Sequence, residues 1–208
     1  MGYIAKDPSI GCKIQEEVDR VTQNGLTKVT LFDTEKLPFT IATIYEVLRY
    51  SSSPIVPHVA TENTSIGGYG IMKDTIVFIN NYDLNTTEEY WENPKDFNPD
   101  RFLEYVSSEK LKKEQHQRTT TTGSTSKKMT DGILRVKTNI PHFLPFSVGK
   151  RTCIGQNLVR CFSFLILTNI LQQYDISSSN INNLKMYPAC VALEPDTYSL
   201  KMTPRKKN

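Results

Sequence analysis

A lone cysteine in the stretch FLPFSVGKRTCIGQNLV constrains this chain more than any other feature. Cys153 follows two cations, Lys150 and Arg151, and lies between Gly149 and Gly155 at the start of an apolar helical pattern. A helix N-terminus and neighbouring cations both favour a thiolate over a thiol, and glycines let a backbone or a flat ligand come close. The pattern therefore predicts an ionisable cysteine in a tight turn that leads into a helix.

Length and composition allow one ordinary domain that is also short enough to be part of a larger protein. The chain has 208 residues, and its hydrophobic content of 38% is typical of a soluble protein. Its longest apolar tract, after Cys153, is too short for a membrane span, and the N-terminus lacks a secretory signal pattern, so we expect no anchor in this chain. The four cysteines are widely spaced without a CxxC pair, which predicts reduced thiols.

Positive charge is concentrated in one polar segment. Residues 107–139 contain eight Lys or Arg against three acidic residues, although the whole chain carries only +3. This segment is of low complexity, and we predict that residues 104–139 form a disordered, solvated insertion. The alternative is that the segment binds an acidic partner. A basic loop without interleaved aromatic residues argues against a nucleic-acid partner.

Hydrophobic periodicity predicts a mainly α fold with small β-sheets. Helical spacing and helix start signals, such as Asp7 before Pro8, indicate three helices, and glycine-rich and β-branched stretches indicate short strands. The predicted segments are helices over 1–25, 38–50 and 156–174, a small sheet over 55–80, a coil pinned by aromatic residues over 81–103, the cysteine loop over 143–155, and a β tail over 175–208.

Four chemistries compete for Cys153. A phosphate-binding loop is excluded, because Leu144 and Arg151 occupy positions that the motif reserves for glycine and a hydroxyl residue. Zinc would need three or four clustered ligands, and His142 is the nearest candidate. A nucleophilic cysteine lacks an evident base in the sequence but stays open. The fourth chemistry is an axial thiolate on heme iron, with Phe146 covering the sulfur; a buried free cysteine is the structural alternative.

The decapeptide FSVGKRTCIG resembles the heme-binding loop of the cytochrome P450 family, which has Phe, two residues, Gly, one residue, Arg, one residue, Cys, one residue and Gly. Every fixed position is filled. The resemblance implies that Cys153 is the axial ligand of heme iron and that Arg151 pairs with a heme propionate. It also implies that Phe146, Gly149 and Gly155 shape the loop around the cofactor, heme b (iron protoporphyrin IX).

Two further elements of the family occur in the expected order. A Glu-x-x-Arg pair, Glu46 and Arg49, lies on the predicted helix 38–50, where a spacing of three places both side chains on one face. The segment PDRF supplies Arg101 between that pair and the cysteine loop. Asp100 stands where the family's similar segment has glutamate. The resemblance implies a buried triad of Glu46, Arg49 and Arg101 that fixes the geometry beneath the heme.

The resemblance covers the chain from Met1 to Arg205, apart from the insertion, and implies the C-terminal, proximal half of an incomplete cytochrome P450 fold. The stretch that begins YEVLRYSSS is especially similar to the Spook-type members of the insect Halloween group, which act in ecdysteroid synthesis. By the same resemblance, Ser53, Ile55 and Val56 line the substrate cavity. His58 either contacts a heme propionate or is an ordinary loop histidine.

The resemblance implies a heme-thiolate monooxygenase that hydroxylates a sterol or ecdysteroid precursor. Its partners would be a sterol-like substrate, dioxygen, and a flavoprotein reductase or ferredoxin as electron donor. The family's distal oxygen-activating helix and membrane anchor lie upstream of the matched segment, so no catalytic residue is assigned in this chain. We expect the full-length protein on the cytoplasmic face of the endoplasmic reticulum membrane, and the isolated chain to bind heme poorly and to be inactive. The alternative is a non-catalytic, truncated heme-binding remnant or partner-binding isoform.

Overall fold

The fold is mainly helical, with short antiparallel strand pairs at its edges. The computed structural model describes residues 1–51, 57–107, 132–180 and 199–206. The α-helices of that part are α1 (Gly2–Lys6), α2 (Pro8–Thr22), α3 (Pro38–Ser51), α4 (Asn81–Thr86) and α5 (Gln156–Gln173), and 3₁₀-helices span Leu31–Lys36, Pro99–Phe102 and Gly149–Arg151.

The N-terminal helix predicted over 1–25 is two helices, α1 and α2, divided at Asp7. The backbone of Asp7 is extended (φ −128°, ψ 92°), because the ring of the following Pro8 disfavours helical geometry in the residue before it. The carboxylate of Asp7 then accepts the backbone N–H of Ser9 at 3.0 Å and caps α2. The break lets α1 fold back against α2, where Ile4 is buried.

The strands predicted over 55–80 form two separate sheets. Strand β1 (Pro57–Val59) pairs antiparallel with β4 (Ile76–Phe78), and β2 (Thr64–Ile66) pairs antiparallel with β3 (Tyr69–Ile71). The turn between β2 and β3 uses Gly67 and Gly68, whose φ angles of 58° and 85° favour glycine. The coil predicted over 81–103 has no long helix or strand. Its helical elements are α4 and the 3₁₀-helix at Pro99–Phe102.

The predicted disordered insertion over 104–139 is structured at both ends. Strand β5 (Leu103–Val106) pairs antiparallel with β6 (Ile133–Val136), in the register Leu103 to Val136 and Val106 to Ile133. Val106 is buried, and the Arg135 Nε to Glu104 Oε1 distance is 2.9 Å. The prediction was wrong at these edges because short apolar strands adjoin a polar tract; residues 108–131 lie outside the described residues.

The chain ends in a second long-range strand pair. Strand β7 (Tyr174–Ser177) follows α5 directly and pairs antiparallel with β8 (Lys201–Pro204). Beyond β8, Arg205 donates to the carboxylate of Asp19 on α2 with both terminal nitrogens, at 3.0 and 2.6 Å. The C-terminal segment is thereby fixed to the N-terminal helix pair. The rest of the predicted tail, residues 181–198 and 207–208, is outside the described residues.

Two apolar clusters hold these elements together. The larger joins α1, α2, α3, α5 and β7, and its most enclosed members are Ile14, Val18, Leu37, Phe164 and Leu171. The smaller cluster consists of Ala42, Trp91 and Phe102, with Tyr45 and Phe143 packed against it. The smaller cluster lies between α3 and the coil over 81–103, and it therefore adjoins the predicted triad of Glu46, Arg49 and Arg101. No helix in the described ranges is long and apolar enough to cross a membrane.

Candidate functional site

Glu46, Arg49 and Arg101, which the sequence predicts to be a triad, lie together in one buried cluster. Arg49 grips the Glu46 carboxylate with two hydrogen bonds, from Nε to Oε2 at 2.7 Å and from Nη2 to Oε1 at 2.8 Å. Arg101 Nε donates to Oε1 of the same carboxylate at 3.1 Å. The side chains of Glu46 and Arg49 have no exposed surface, and that of Arg101 is 9% exposed. Burial makes the pairing obligatory, since an unpaired charge there would be strongly unfavourable.

Other donors of the two arginines hold the end of α4 and the coil that follows it. Arg49 Nη1 donates to the carbonyl of Asn85 at 2.6 Å, and Arg101 donates to the carbonyls of Glu92 and Asp96 at 2.9 and 3.1 Å. The backbone N–H of Asn98 donates to Glu46 at 2.8 Å. Sequence reasoning missed these partners, because backbone groups carry no residue signature. The triad therefore shapes a whole coil.

Trp91 joins the charged cluster to the smaller apolar cluster. Its ring centroid lies 5.3 Å from the guanidinium carbon of Arg49 and 6.0 Å from that of Arg101. The indole N–H donates to the carbonyl of Leu84 at 2.7 Å, so the ring is fixed at both its face and its edge. On the other side Phe102 packs edge-on against Phe143, with ring centroids 4.9 Å apart. Phe143 begins the cysteine loop, so this packing connects the triad to that loop.

Hydrogen bonds close the cysteine loop on itself. The backbone N–H of Cys153 donates to the carbonyl of Phe146 at 2.8 Å. The Thr152 hydroxyl donates to the carbonyls of Phe146 and Ser147 at 3.2 and 3.1 Å. The turn within the loop uses left-handed backbone at Ser147 (φ 62°) and Gly149 (φ 75°). Glycine tolerates this conformation without steric cost, which explains the fixed Gly149 in physical terms.

Cys153 is exposed in this structure, which argues against the alternative of a buried free cysteine. Cover of the sulfur by Phe146 stays a prediction. The Phe146 ring faces the guanidinium of Arg160 on α5, with 5.4 Å between its centroid and the guanidinium carbon. Gly155 is the N-cap of α5, and a β-carbon there would lie 3.8 Å from the Cys153 sulfur. Cys153 is therefore an exposed residue close to the start of α5.

The surface around the Cys153 sulfur suits a flat apolar group. Ile154 is fully exposed, and Leu158 and Phe162, one and two turns further along α5, are 61% and 54% exposed. A β-carbon added at Gly149 would meet no other atom within 4 Å. A soft sulfur ligand next to the exposed Ile154, with further exposed apolar side chains along α5 and open backbone at Gly149, fits heme, whose porphyrin is flat and largely apolar.

A multi-ligand metal site is not formed in the described part of the chain. No group of three His, Cys, Asp or Glu side chains is close enough there to hold a metal ion. This observation disfavours the zinc alternative for Cys153, because structural and catalytic zinc need at least three protein ligands.

The other residues predicted to contact the heme or the substrate have few contacts with the cysteine loop in the described part of the chain. Arg151 is exposed, and it forms no ion pair with any residue of the described ranges, so its guanidinium is available to an anionic group. His58 lies on β1 opposite Val77. Within those same ranges, no hydrogen bond or ring contact joins His58 to the cysteine loop. The predicted cavity residues Ser53, Ile55 and Val56 are outside the described residues.

Comparison of the sequence with known proteins places this chain in a family. The family profile described as cytochrome P450 matches residues 1–202. Cytochrome P450 307a1 of Drosophila melanogaster is 53% identical over 207 residues, which cover 100% of this chain and 37% of that protein. Cytochrome P450 1B1 of Homo sapiens is 30% identical over 96% of this chain and 32% of its own length. The steroid 17-alpha-hydroxylase/17,20 lyase of Oryzias latipes is 35% identical over 98% of this chain and 35% of its own length.

The chain spans about a third of the length of these curated relatives. The profile match covers the Glu-x-x-Arg pair, the PDRF segment and the cysteine loop within one continuous region. The family predicted from these three motifs is therefore confirmed. This chain belongs to the cytochrome P450 family, whose members bind heme b.

Proposed function

We propose that this chain is the heme-binding, proximal part of a heme-thiolate monooxygenase, with Cys153 as the axial ligand of the iron. The observation that carries the proposal is the exposed Cys153 sulfur on a loop closed by the Cys153 to Phe146 backbone bond, beside an exposed apolar helix face. Family membership supports heme b as the cofactor and oxygenation as the chemistry. When bound, heme activates dioxygen for insertion of one oxygen atom into a substrate C–H bond.

The chain's own residues prepare the thiolate and hold its surroundings. The loop fixes the Cys153 backbone and leaves this residue exposed. Arg151, exposed and without an ion-pair partner in the described part of the chain, would bind a propionate through its planar pair of donors. The apolar side chains of Ile154 and Leu158 would exclude water from the sulfur once a flat group covers them.

The triad supplies rigidity. Glu46 binds both Arg49 and Arg101, and these arginines fix the coil whose aromatic residues pack against the start of the cysteine loop. A ligand sulfur must stay within a few tenths of an ångström of its productive position, so a rigid support matters for the chemistry. In this proposal the triad is a structural element that acts through Phe102 and Phe143.

We further propose that the substrate is a sterol-like ecdysteroid precursor. The support is the similarity of the segment after the Glu-x-x-Arg helix to Spook-type members, together with 53% identity to an insect cytochrome P450 and 35% identity to a steroid hydroxylase. Ser53, Ile55 and Val56 are the proposed cavity residues, and His58 is a proposed propionate contact. Electrons would come from a flavoprotein reductase or ferredoxin, and the full-length protein would reside on the cytoplasmic face of the endoplasmic reticulum.

The test uses the longer protein, at the length of its relatives, in membranes with a reductase and NADPH. Reduction under carbon monoxide is expected to give the red-shifted absorbance band of a thiolate-bound heme, and a sterol precursor is expected to gain one oxygen atom by mass spectrometry. A normal band without product from any sterol would reject the substrate class and keep the family chemistry. Absence of the band would reject the heme-thiolate proposal itself.

A further inference from the structure

Arg160, on the second turn of α5, is a cation placed between two aromatic rings. Its guanidinium carbon lies 5.6 Å from the ring centroid of Tyr45 and 5.4 Å from that of Phe146. Its Nε is completely enclosed and has no hydrogen-bond partner among the residues that the structure describes. Nor does Arg160 form an ion pair with any residue in the described ranges. Within the described part of the chain, the two rings are the contacts that locate this guanidinium.

This arrangement has a physical cost and a compensating attraction. An enclosed N–H without an acceptor gives up its hydrogen bond to water, which is unfavourable. A guanidinium within about 6 Å of an aromatic ring is attracted by the negative face of that ring, and two rings act here on one cation.

The two rings belong to different parts of the site. Tyr45 precedes Glu46 on α3, whereas Phe146 opens the tight turn of the cysteine loop. The carbonyl of Phe146 accepts the backbone N–H of Cys153 at 2.8 Å. Any movement of the Phe146 residue therefore changes the hydrogen bond that holds the cysteine backbone.

We propose that Arg160 is a positioning residue that fixes Phe146 against α3 and thereby holds Cys153 in place for the heme. The proposal rests on the proposed function, since only a ligand sulfur needs this placement, and it adds a residue that lies outside the three motifs. In this proposal α5 holds the loop through the contact of Arg160 with the Phe146 ring.

The experiment measures hydrogen exchange of the Cys153 backbone amide by NMR in the longer protein, at the length of its relatives, without heme. Arg160→Leu keeps an apolar side chain of similar length and removes the cation, and it is expected to speed exchange of this amide about tenfold. Exchange of the buried α2 amides at Ile14 and Val18 is expected to stay unchanged, which separates loop release from general destabilisation. Lys13→Leu is the matched control, because it removes a cation 4.8 Å from the Phe39 ring, away from the loop.

Two more variants decide whether Phe146 transmits the effect. Arg160→Lys keeps the charge without the planar group and is expected to give a smaller increase in exchange. In a Phe146→Leu background, Arg160→Leu is expected to change the Cys153 exchange less than twofold, because the ring that it holds is absent. Unchanged exchange in Arg160→Leu, or the same increase with and without the Phe146 ring, would overturn the inference. Since this readout needs no heme, it is independent of the carbon monoxide test of the proposed function.

Discussion

Replacing Glu46 with alanine is expected to be the most destabilising single change in the charged cluster. The carboxylate accepts four hydrogen bonds, two from Arg49, one from Arg101 and one from the backbone of Asn98. Its removal leaves the fully buried guanidinium of Arg49 without a counter-charge, although the carbonyls of Asn85 and Asp96 remain. Breaking a buried pair by removing one partner costs about 3–5 kcal/mol. A domain with an unfolding free energy of about 5–15 kcal/mol would lose a large part of its stability.

Urea unfolding followed by tryptophan fluorescence measures this effect. Trp91 is the only tryptophan and lies against both arginines, so its emission reports directly on the cluster. Glu104→Ala is the matched control, because it removes a carboxylate from a partly exposed pair with Arg135 and is expected to cost below about 1 kcal/mol. Equal losses in the two variants, or a loss below about 1 kcal/mol for Glu46→Ala, would refute the reasoning from burial.

Further predictions concern the core, the loop and pH. Phe164→Ala removes an almost fully buried ring from the larger cluster and is expected to lower the unfolding free energy by about 3–5 kcal/mol in urea; a loss below about 1 kcal/mol would contradict this packing. Gly149→Ala is expected to cost about 1–2 kcal/mol because φ is 75°, with Gly149→Asn costing less, and equal stability of all three proteins would count against the left-handed turn. Hydrogen bonds from Lys36 and Thr30 hold the pKa of Asp33 below its ordinary value of 3.8. The stabilisation from this carboxylate is therefore complete above that value and is lost as pH falls through the lower folded pKa, so the stability difference between wild type and Asp33→Asn should shrink on acidification; a constant difference would contradict the pKa shift.

The parts of the site that could be predicted from sequence are those in which residue type and spacing carry the chemistry. Glu46 and Arg49, three residues apart on a helix, necessarily share a face, and the cysteine loop is defined by ten consecutive residues. Arg101 was linked to the pair only through the family resemblance, since nothing in the spacing of residues 46 and 101 determines their contact.

The parts that could not be predicted depend on long-range packing. Arg160 is an arginine on an apolar helix, and only the folded chain places it between rings from α3 and from the cysteine loop. The exposed state of Cys153 is also a property of the folded chain, which the motif does not encode. The β5–β6 pair was missed for a different reason, because a long polar tract dominates the composition of a window that contains two short apolar strands.

The most direct test of the account is the carbon monoxide spectrum of the longer, heme-loaded protein with Cys153→Ser, compared with Cys161→Ser. Cys161 lies on α5 two turns away and is half-buried, so its replacement controls for the loss of a thiol near the site. The account predicts that the red-shifted band disappears in Cys153→Ser and remains in Cys161→Ser. A red-shifted band that persists in Cys153→Ser would contradict the assignment of this sulfur as the iron ligand.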